Sequence, residues 1–177
     1  MYPQEVAEVV IVELIANSLD AGANRISIDY NPTQKTLIVS DNGRGMDAAQ
    51  FDQYHDFAAG LKTRGTGIGF AGVGAKVSFN IADRVITETI GHRFSGGSDW
   101  YMQSNTKLVW DEILPTHLSD GATRVEVRFR HDITSSYTTR QDLVTLLQRN
   151  YLPLLDADFL ELYERLGIYS NTFRFII

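Results

Sequence analysis

The chain has 177 residues, 44% of them apolar, a net charge of −6 and no cysteine. That length suits one compact domain with its own core, and the apolar share excludes bulk disorder. The absence of cysteine excludes disulfides, thiolate catalysis and cysteine zinc sites, and the acidic balance argues against a major nucleic-acid surface on this domain.

A first helix is expected over 3–21, because Pro3 suits a first helical turn and Gly22 is a natural stop. The stretch Val9 to Ala16 within it is interrupted by Glu13 and falls short of the ~20 apolar residues of a membrane span. No basic leader opens the chain, so no membrane association and a cytoplasmic setting are expected. Arg25-Ile-Ser-Ile-Asp-Tyr30 alternates like a half-buried strand, and Thr36-Leu-Ile-Val-Ser40 returns after a turn, giving a hairpin that ends on Asp41. Asp47 and Gln50 have capping-box spacing and open a second helix over 48–58. A glycine-rich loop with Lys62 and Arg64 occupies 59–71, and a third helix follows over 73–82. Strands are expected near 83–90, 99–104, 107–113 and 122–130. Thr138 with Gln141 repeats the capping pattern before a helix to 150, a further helix covers 156–166, and 172–177 reads as a strand. That last strand is either an edge of this domain or the first strand of another. Helices with a mostly antiparallel sheet make the fold class α+β, built in layers rather than as βαβ units.

Three elements carry chemistry. On the first helix, Glu13, Asn17 and Asp20 fall within about 60° of one another at 100° per residue. Apolar residues take almost every other direction, so the helix is largely buried and its carboxylate and amide need partners. The bland alternative places them at an exposed margin. Asp41-Asn-Gly-Arg-Gly-Met46 then sets a carboxylate at a strand end, before glycines that let the backbone approach a flat ligand; an ordinary Asp-Asn-Gly turn is the alternative. Finally, Gly65-Thr-Gly-Ile-Gly-Phe-Ala-Gly-Val-Gly-Ala-Lys76 opens a helix with a cradle of backbone N–H groups suited to phosphates, or else is a linker. A basic loop rather than a strand precedes it, which excludes the dinucleotide fingerprint, and no Gly-Lys-Ser/Thr or kinase motif occurs. His55, His92, His117 and His131 show no metal-binding spacing.

In this order and spacing the elements resemble the GHKL ATPases, the superfamily of DNA gyrase, the ninety-kilodalton heat-shock chaperone, sensor histidine kinases and MutL. Glu13-Leu-Ile-Ala-Asn17-Ser-Leu-Asp-Ala21 is similar to the N box and Asp41–Met46 to the G1 box. Gly69-Phe-Ala-Gly-Val-Gly-Ala75 resembles the second glycine box, and Gly121-Ala-Thr123 the last box. The resemblance covers about residues 4–130 and is nearest the chaperone, MutL, MORC and archaeal topoisomerase branch. The sensor kinases fit less well, since they carry no glutamate at the position of Glu13.

The resemblance implies a Bergerat ATP-binding fold, a two-layer sandwich of a mixed, mostly antiparallel sheet with helices on one face. The ATP-binding domain would span 1–135; residues 136–177 would finish it or begin a second domain. Glu13 would be the general base and Asn17 the Mg²⁺ ligand. Asp41 would take the adenine amine, helped by Thr123. Gly45 and Met46 would line the base pocket, with Asp20 on the ribose side. Gly69, Gly72, Val73, Gly74 and Ala75 would wrap the phosphates under a lid at 59–68, with Lys62 and Lys76 in reach. ATP and Mg²⁺ are the implied cofactors. The implied function is slow ATP hydrolysis by the ATPase module of a chaperone-like or DNA-repair-like machine that homodimerises at full length. A nucleotide-gated interaction module with little or no hydrolysis is the alternative.

Overall fold

The computed structural model describes residues 6–55, 81–91, 93–104, 107–118, 121–133, 137, 139–167 and 174–177. Helix α1 (Val6–Asp20) buries Val10, Ile11, Leu14 and Ile15, as a helix apolar around most of its circumference must. It ends at Gly22, whose φ of +75° is the left-handed cap conformation that glycine adopts without penalty. Strands β1 (Arg25–Asn31) and β2 (Thr36–Asp41) form the expected hairpin, with Ile26 opposite Asp41. Helix α2 (Ala48–His55) opens on a reciprocal cap: the Asp47 amide donates to Gln50 Oε1 (3.0 Å) and the Gln50 amide to Asp47 Oδ1 (2.8 Å).

Four strands follow, β3 (Ala82–Gly91), β4 (Phe94–Ser104), β5 (Lys107–Ile113) and β6 (Ala122–Phe129). Helices α3 (Arg140–Leu155) and α4 (Ala157–Leu166) precede the short β7 (Arg174–Ile176). The seven strands make one sheet in the order β5-β4-β3-β6-β2-β1-β7, antiparallel throughout except for the parallel β1–β7 pair. This is the mixed, mostly antiparallel α+β fold that the sequence suggests. Several boundaries differ from expectation, and α3 runs on past a kink at Tyr151 to Leu155 rather than ending at 150. Strand β4 begins at Phe94 rather than 99. The cap of α3 is Thr139 with Asp142, one residue later than the Thr138–Gln141 pattern, because Asp142 both accepts from the Thr139 amide (2.7 Å) and donates its own amide to Thr139 Oγ1 (3.2 Å). Most of the expected third helix lies outside the described residues.

One face of the sheet is apolar in rows. Val39 lies opposite Ile28 and Val125, and Leu37 opposite Tyr30 and Val127. These side chains join α1 and the Leu143, Leu146 and Leu147 face of α3 in a single buried cluster. A buried polar clasp ties the two helices: Tyr137 donates its hydroxyl to Glu8 Oε2 (2.8 Å), and Arg149 pairs with the other Glu8 oxygen. Glu8 is only 5% exposed, so its charge is accommodated by these two partners.

The opposite face is charged. Arg124 and Arg128 each bond Glu126 at 2.7 Å, and Arg84 Nε bonds Asp99 at 2.7 Å. The segment after β5 crosses this face and covers Glu88, whose side chain is 1% exposed; its Oε1 accepts the Thr116 amide (2.9 Å) and lies 3.0 Å from His117 Nδ1. Burial pushes the Glu88 carboxyl up, but the Thr116 amide and His117 together hold it below its ordinary value of 4.5. A carboxyl lowered in the folded state adds stability above its unfolded pKa and loses it as pH falls through the folded value. Glu88→Gln should therefore cost about 2–3 kcal/mol at neutral pH. That deficit should shrink below pH 4.5, read as urea midpoints across the acid range. A deficit constant across that range would show that the charge of Glu88 contributes nothing.

Candidate nucleotide site

Along the helix-covered face the rows turn polar toward one end of the strands. Register places Asp41 of β2 opposite Thr123 of β6, and Thr123 opposite Thr89 of β3. The polar row lies two residues along each strand from the buried row of Val39, Val125 and Thr87. Its position follows from the two-residue side-chain period of a strand.

Asp41 is half-buried and well supplied with donors. The Gly43 amide donates to Oδ1 (2.8 Å) and the Ser18 hydroxyl to Oδ2 (2.9 Å). Ser18 Oγ also lies 3.0 Å from the Leu14 carbonyl, so its one proton is shared between two acceptors. Burial pushes the Asp41 carboxyl above its ordinary value of 3.8, against the opposing pull of hydrogen bonds from the Gly43 amide, Ser18 and the Thr123 backbone. The site is thus a carboxylate held in a fixed orientation but incompletely solvated, ready to accept another donor.

The turn after Asp41 is threaded between the end of α1 and the end of β3. The Arg44 amide donates to the Ala21 carbonyl (3.0 Å) and its guanidinium to the Asp20 carbonyl (2.8 Å). Asn42 Oδ1 accepts the amides of Asn24 (3.1 Å) and Arg25 (2.9 Å). The Met46 amide donates to Thr89 Oγ1 (2.9 Å), and Thr89 Oγ1 lies 3.4 Å from Thr123 Oγ1. Gly45 has φ +66°, and a Cβ there would stand 2.1 Å from the Ile90 carbonyl oxygen. A Cβ on Gly91 would stand 2.1 Å from the Arg44 carbonyl oxygen, so the two backbones touch where neither tolerates a side chain.

Glu13, Asn17 and Asp20 follow one side of α1, as the helical spacing predicts. Asn17 is exposed, Glu13 and Asp20 are half-buried, and Glu13 Oε2 is shielded from water. The structure therefore brings Ser18, Asp41, Gly43, Gly45, Met46, Thr89 and Thr123 together around the end of α1. Lys62, Gly69, Gly72, Val73, Gly74, Ala75 and Lys76 lie outside the described residues.

Ser18 and Thr89 are missed by the sequence reading. Ser18 offers a signal, since a hydroxyl pointing into the buried side of an apolar helix requires an acceptor. Thr89 offers none, because its partner is an amide of a turn more than forty residues earlier. Among the described residues no group of three or more His, Asp or Glu side chains could hold a metal ion. The amide oxygen of Asn17 is a donor of the type that could join a magnesium ion held chiefly by phosphate and water. No helix of the described residues is long and apolar enough to cross a membrane.

Comparison with known proteins agrees with this geometry. The family model of the histidine kinase-, DNA gyrase B- and HSP90-like ATPases matches residues 4–113. The chain is also similar to proteins named DNA mismatch repair protein MutL. The identity is 57% over 37 residues in Microcystis aeruginosa, which is 21% of this chain and 7% of that protein. It is 58% over 41 residues in Rhizobium johnstonii, 23% of this chain and 7% of the relative. It is 50% over 44 residues in Trichormus variabilis, 25% of this chain and 8% of the relative. The matched segments thus span less than a tenth of these relatives. The family match, by contrast, takes in α1, the hairpin, the Asp41 turn and the strands through β5, and with the polar row at the strand ends it places the chain in the histidine kinase-, DNA gyrase B- and HSP90-like ATPase family.

Proposed function

We propose that this domain binds ATP with Mg²⁺ and hydrolyses it slowly, as the ATPase module of a larger, dimerising DNA-repair-like or chaperone-like machine. The observation that carries the reading is the Asp41 carboxylate, fixed by Ser18 and Gly43 at the end of a polar row and short of solvent. Such a group accepts the exocyclic amine of adenine, with Thr123 beside it. Gly45 and Met46 form the wall of the base pocket, and Asp20 lies toward the ribose. Asn17, the exposed amide on the same helix side, holds the metal. Bound magnesium would neutralise phosphate charge and orient the terminal phosphoryl group. Glu13, one turn back, orients and deprotonates the attacking water. Gly69, Gly72, Val73, Gly74 and Ala75 supply amides to the phosphates, with Lys62 and Lys76 adding charge. Residues 136–177 finish the domain; the packing of α3 into the core and the pairing of β7 with β1 support that division. The similarity to the proteins named DNA mismatch repair protein MutL supports the DNA-repair-like assignment, and the acidic balance favours protein rather than nucleic-acid partners for this domain.

Calorimetric titration with ATP–Mg²⁺ tests the reading. Asp41→Asn removes the charge and leaves one acceptor oxygen where the carboxylate has two, with an NH2 donor in place of the other, and should weaken ATP about a hundredfold while the fold is kept. The wild-type affinity should also fall as pH drops through the raised pKa of Asp41, beginning above 3.8, because a protonated carboxyl cannot take the amine as strongly. The apo protein should show the opposite trend: a carboxyl raised by folding makes stability decline as pH rises through that window. Unchanged affinity in a folded Asp41→Asn protein would overturn the proposal.

A further inference from the structure

Tyr151 stands at a break in α3. Its φ of −131° and ψ of 24° are non-helical, and Pro153 follows two residues later. A proline in a helix interior removes a backbone donor and crowds the carbonyl of the preceding turn, so the helix opens there. Beside that opening the phenol reaches across to α1, where its hydroxyl donates to the Val12 carbonyl at 2.9 Å. Its ring is held from β7 by Phe175, with centroids 5.8 Å apart and a 50° tilt. Burial first, then the negative charge of Glu13, pushes the phenol pKa well above its ordinary 10, so Tyr151 is a neutral donor at every working pH. The hydroxyl thus sits within the field of the Glu13 carboxylate while bonded to the backbone of the residue before it.

We propose that Tyr151 is a positioning residue for Glu13, tying the α1 backbone at Val12 and so fixing where the Glu13 carboxylate sits. The proposal rests on the role given to Glu13 above. A side chain on a helix inherits the rotation of its backbone, and a displacement of about 1 Å at a reacting group can cost a hundredfold in rate. The α3 break, a proline consequence with no other evident use, places a tyrosine at the one turn of α1 that carries the base. Asn17 and Asp41 lie further along, so nucleotide binding does not depend on the tie.

Tyr151→Phe removes one oxygen and keeps the ring against Phe175. Steady-state ATP turnover should fall about tenfold, with the ATP dissociation constant unchanged within about twofold. Tyr101→Phe, which loses a hydroxyl bond to Asp111 on the charged sheet face (3.0 Å), should leave both unchanged. Thermal melts of both variants confirm folding. Should Tyr151→Phe melt before the assay temperature, Phe175→Leu, which loosens the ring but keeps the hydroxyl, takes its place and should show a smaller loss of the same kind. Turnover unchanged in the folded variant, or lost in step with affinity, overturns the assignment while leaving the ATPase reading intact. A wild-type protein that binds ATP without turnover overturns it too, because Glu13 then has no water to activate. A wild-type protein that does not bind ATP removes the nucleotide reading itself.

Discussion

Glu13→Ala should abolish ATP turnover while leaving ATP binding and the fold essentially intact. General-base catalysis contributes roughly a hundredfold to ten-thousandfold in rate, so the variant should fall by at least the lower figure. Binding should survive because the adenine contacts come from Asp41 and its neighbours, at the end of the helix rather than its middle. Stability should survive as well. Glu13 is half-buried, and alanine is the better helix former, by a few tenths of a kcal/mol. Turnover by the wild-type domain should itself be slow, on the order of one per second or less. A phosphate-release assay on both proteins, beside calorimetry with ATP–Mg²⁺, separates the possibilities. A wild-type rate of many per second would contradict the slow-hydrolysis reading. Binding without any turnover in either protein would favour a nucleotide-gated interaction module.

Local patterns were legible where the structure obeys local rules. The apolar circumference of α1, the glycine after it and the β1–β2 hairpin each follow from spacing within about twenty residues. The Asp47–Gln50 cap is equally local. The early start of β4 was not: residues 94–98 include Gly96 and Gly97, and glycine is depleted in strands. Their positions show why glycine stands there: a Cβ on Gly96 would meet the Phe94 ring at 2.5 Å, and one on Gly97 the Thr87 carbonyl oxygen at 2.8 Å. Glycine inside a strand here marks close approach rather than a turn.

The candidate site divides in the same way. Glu13, Asn17 and Asp41 stand out because a charge or amide on a buried helix, or at a strand end, needs an explanation. Ser18 becomes part of the site only once β2 places Asp41 2.9 Å away, and Thr89 only once β3 lies beside β6. The burial of Glu8 depends on Tyr137 and Arg149, partners 129 and 141 residues away. No window along the chain contains that information. Tyr151 is legible in neither way, since its function comes from a helix break that reads in sequence as a helix end.

Gly45→Ala should be the most damaging single-methyl change in the described part of the protein. Two independent penalties act at one residue. Its φ of +66° is the left-handed region, which costs an L residue about 1–2 kcal/mol. The added Cβ would also stand 2.1 Å from the Ile90 carbonyl oxygen, well inside contact distance. The obstacle is strand backbone, held at the last pair of the β3–β6 ladder (Ile90 opposite Ala122), and cannot swing aside as a side chain would. Overpacking of this kind costs a further ~1–3 kcal/mol, so a loss of about 2–5 kcal/mol is expected. Relief requires the turn to lift from β3, which breaks the bond from the Met46 amide to Thr89 Oγ1 (2.9 Å) and shifts the wall of the proposed base pocket. ATP affinity should therefore fall together with stability. Gly22→Ala is the matched control: it shares the positive φ of +75°, but nothing stands within 4 Å of its added Cβ. It should lose only the backbone part, about 1–2 kcal/mol, and keep its ATP affinity. Chemical unfolding and ATP titration of the two variants side by side measure the steric share directly. Equal losses would mean that the contact between the Asp41 turn and β3 yields at no cost, and that the glycine at 45 serves the backbone angle alone.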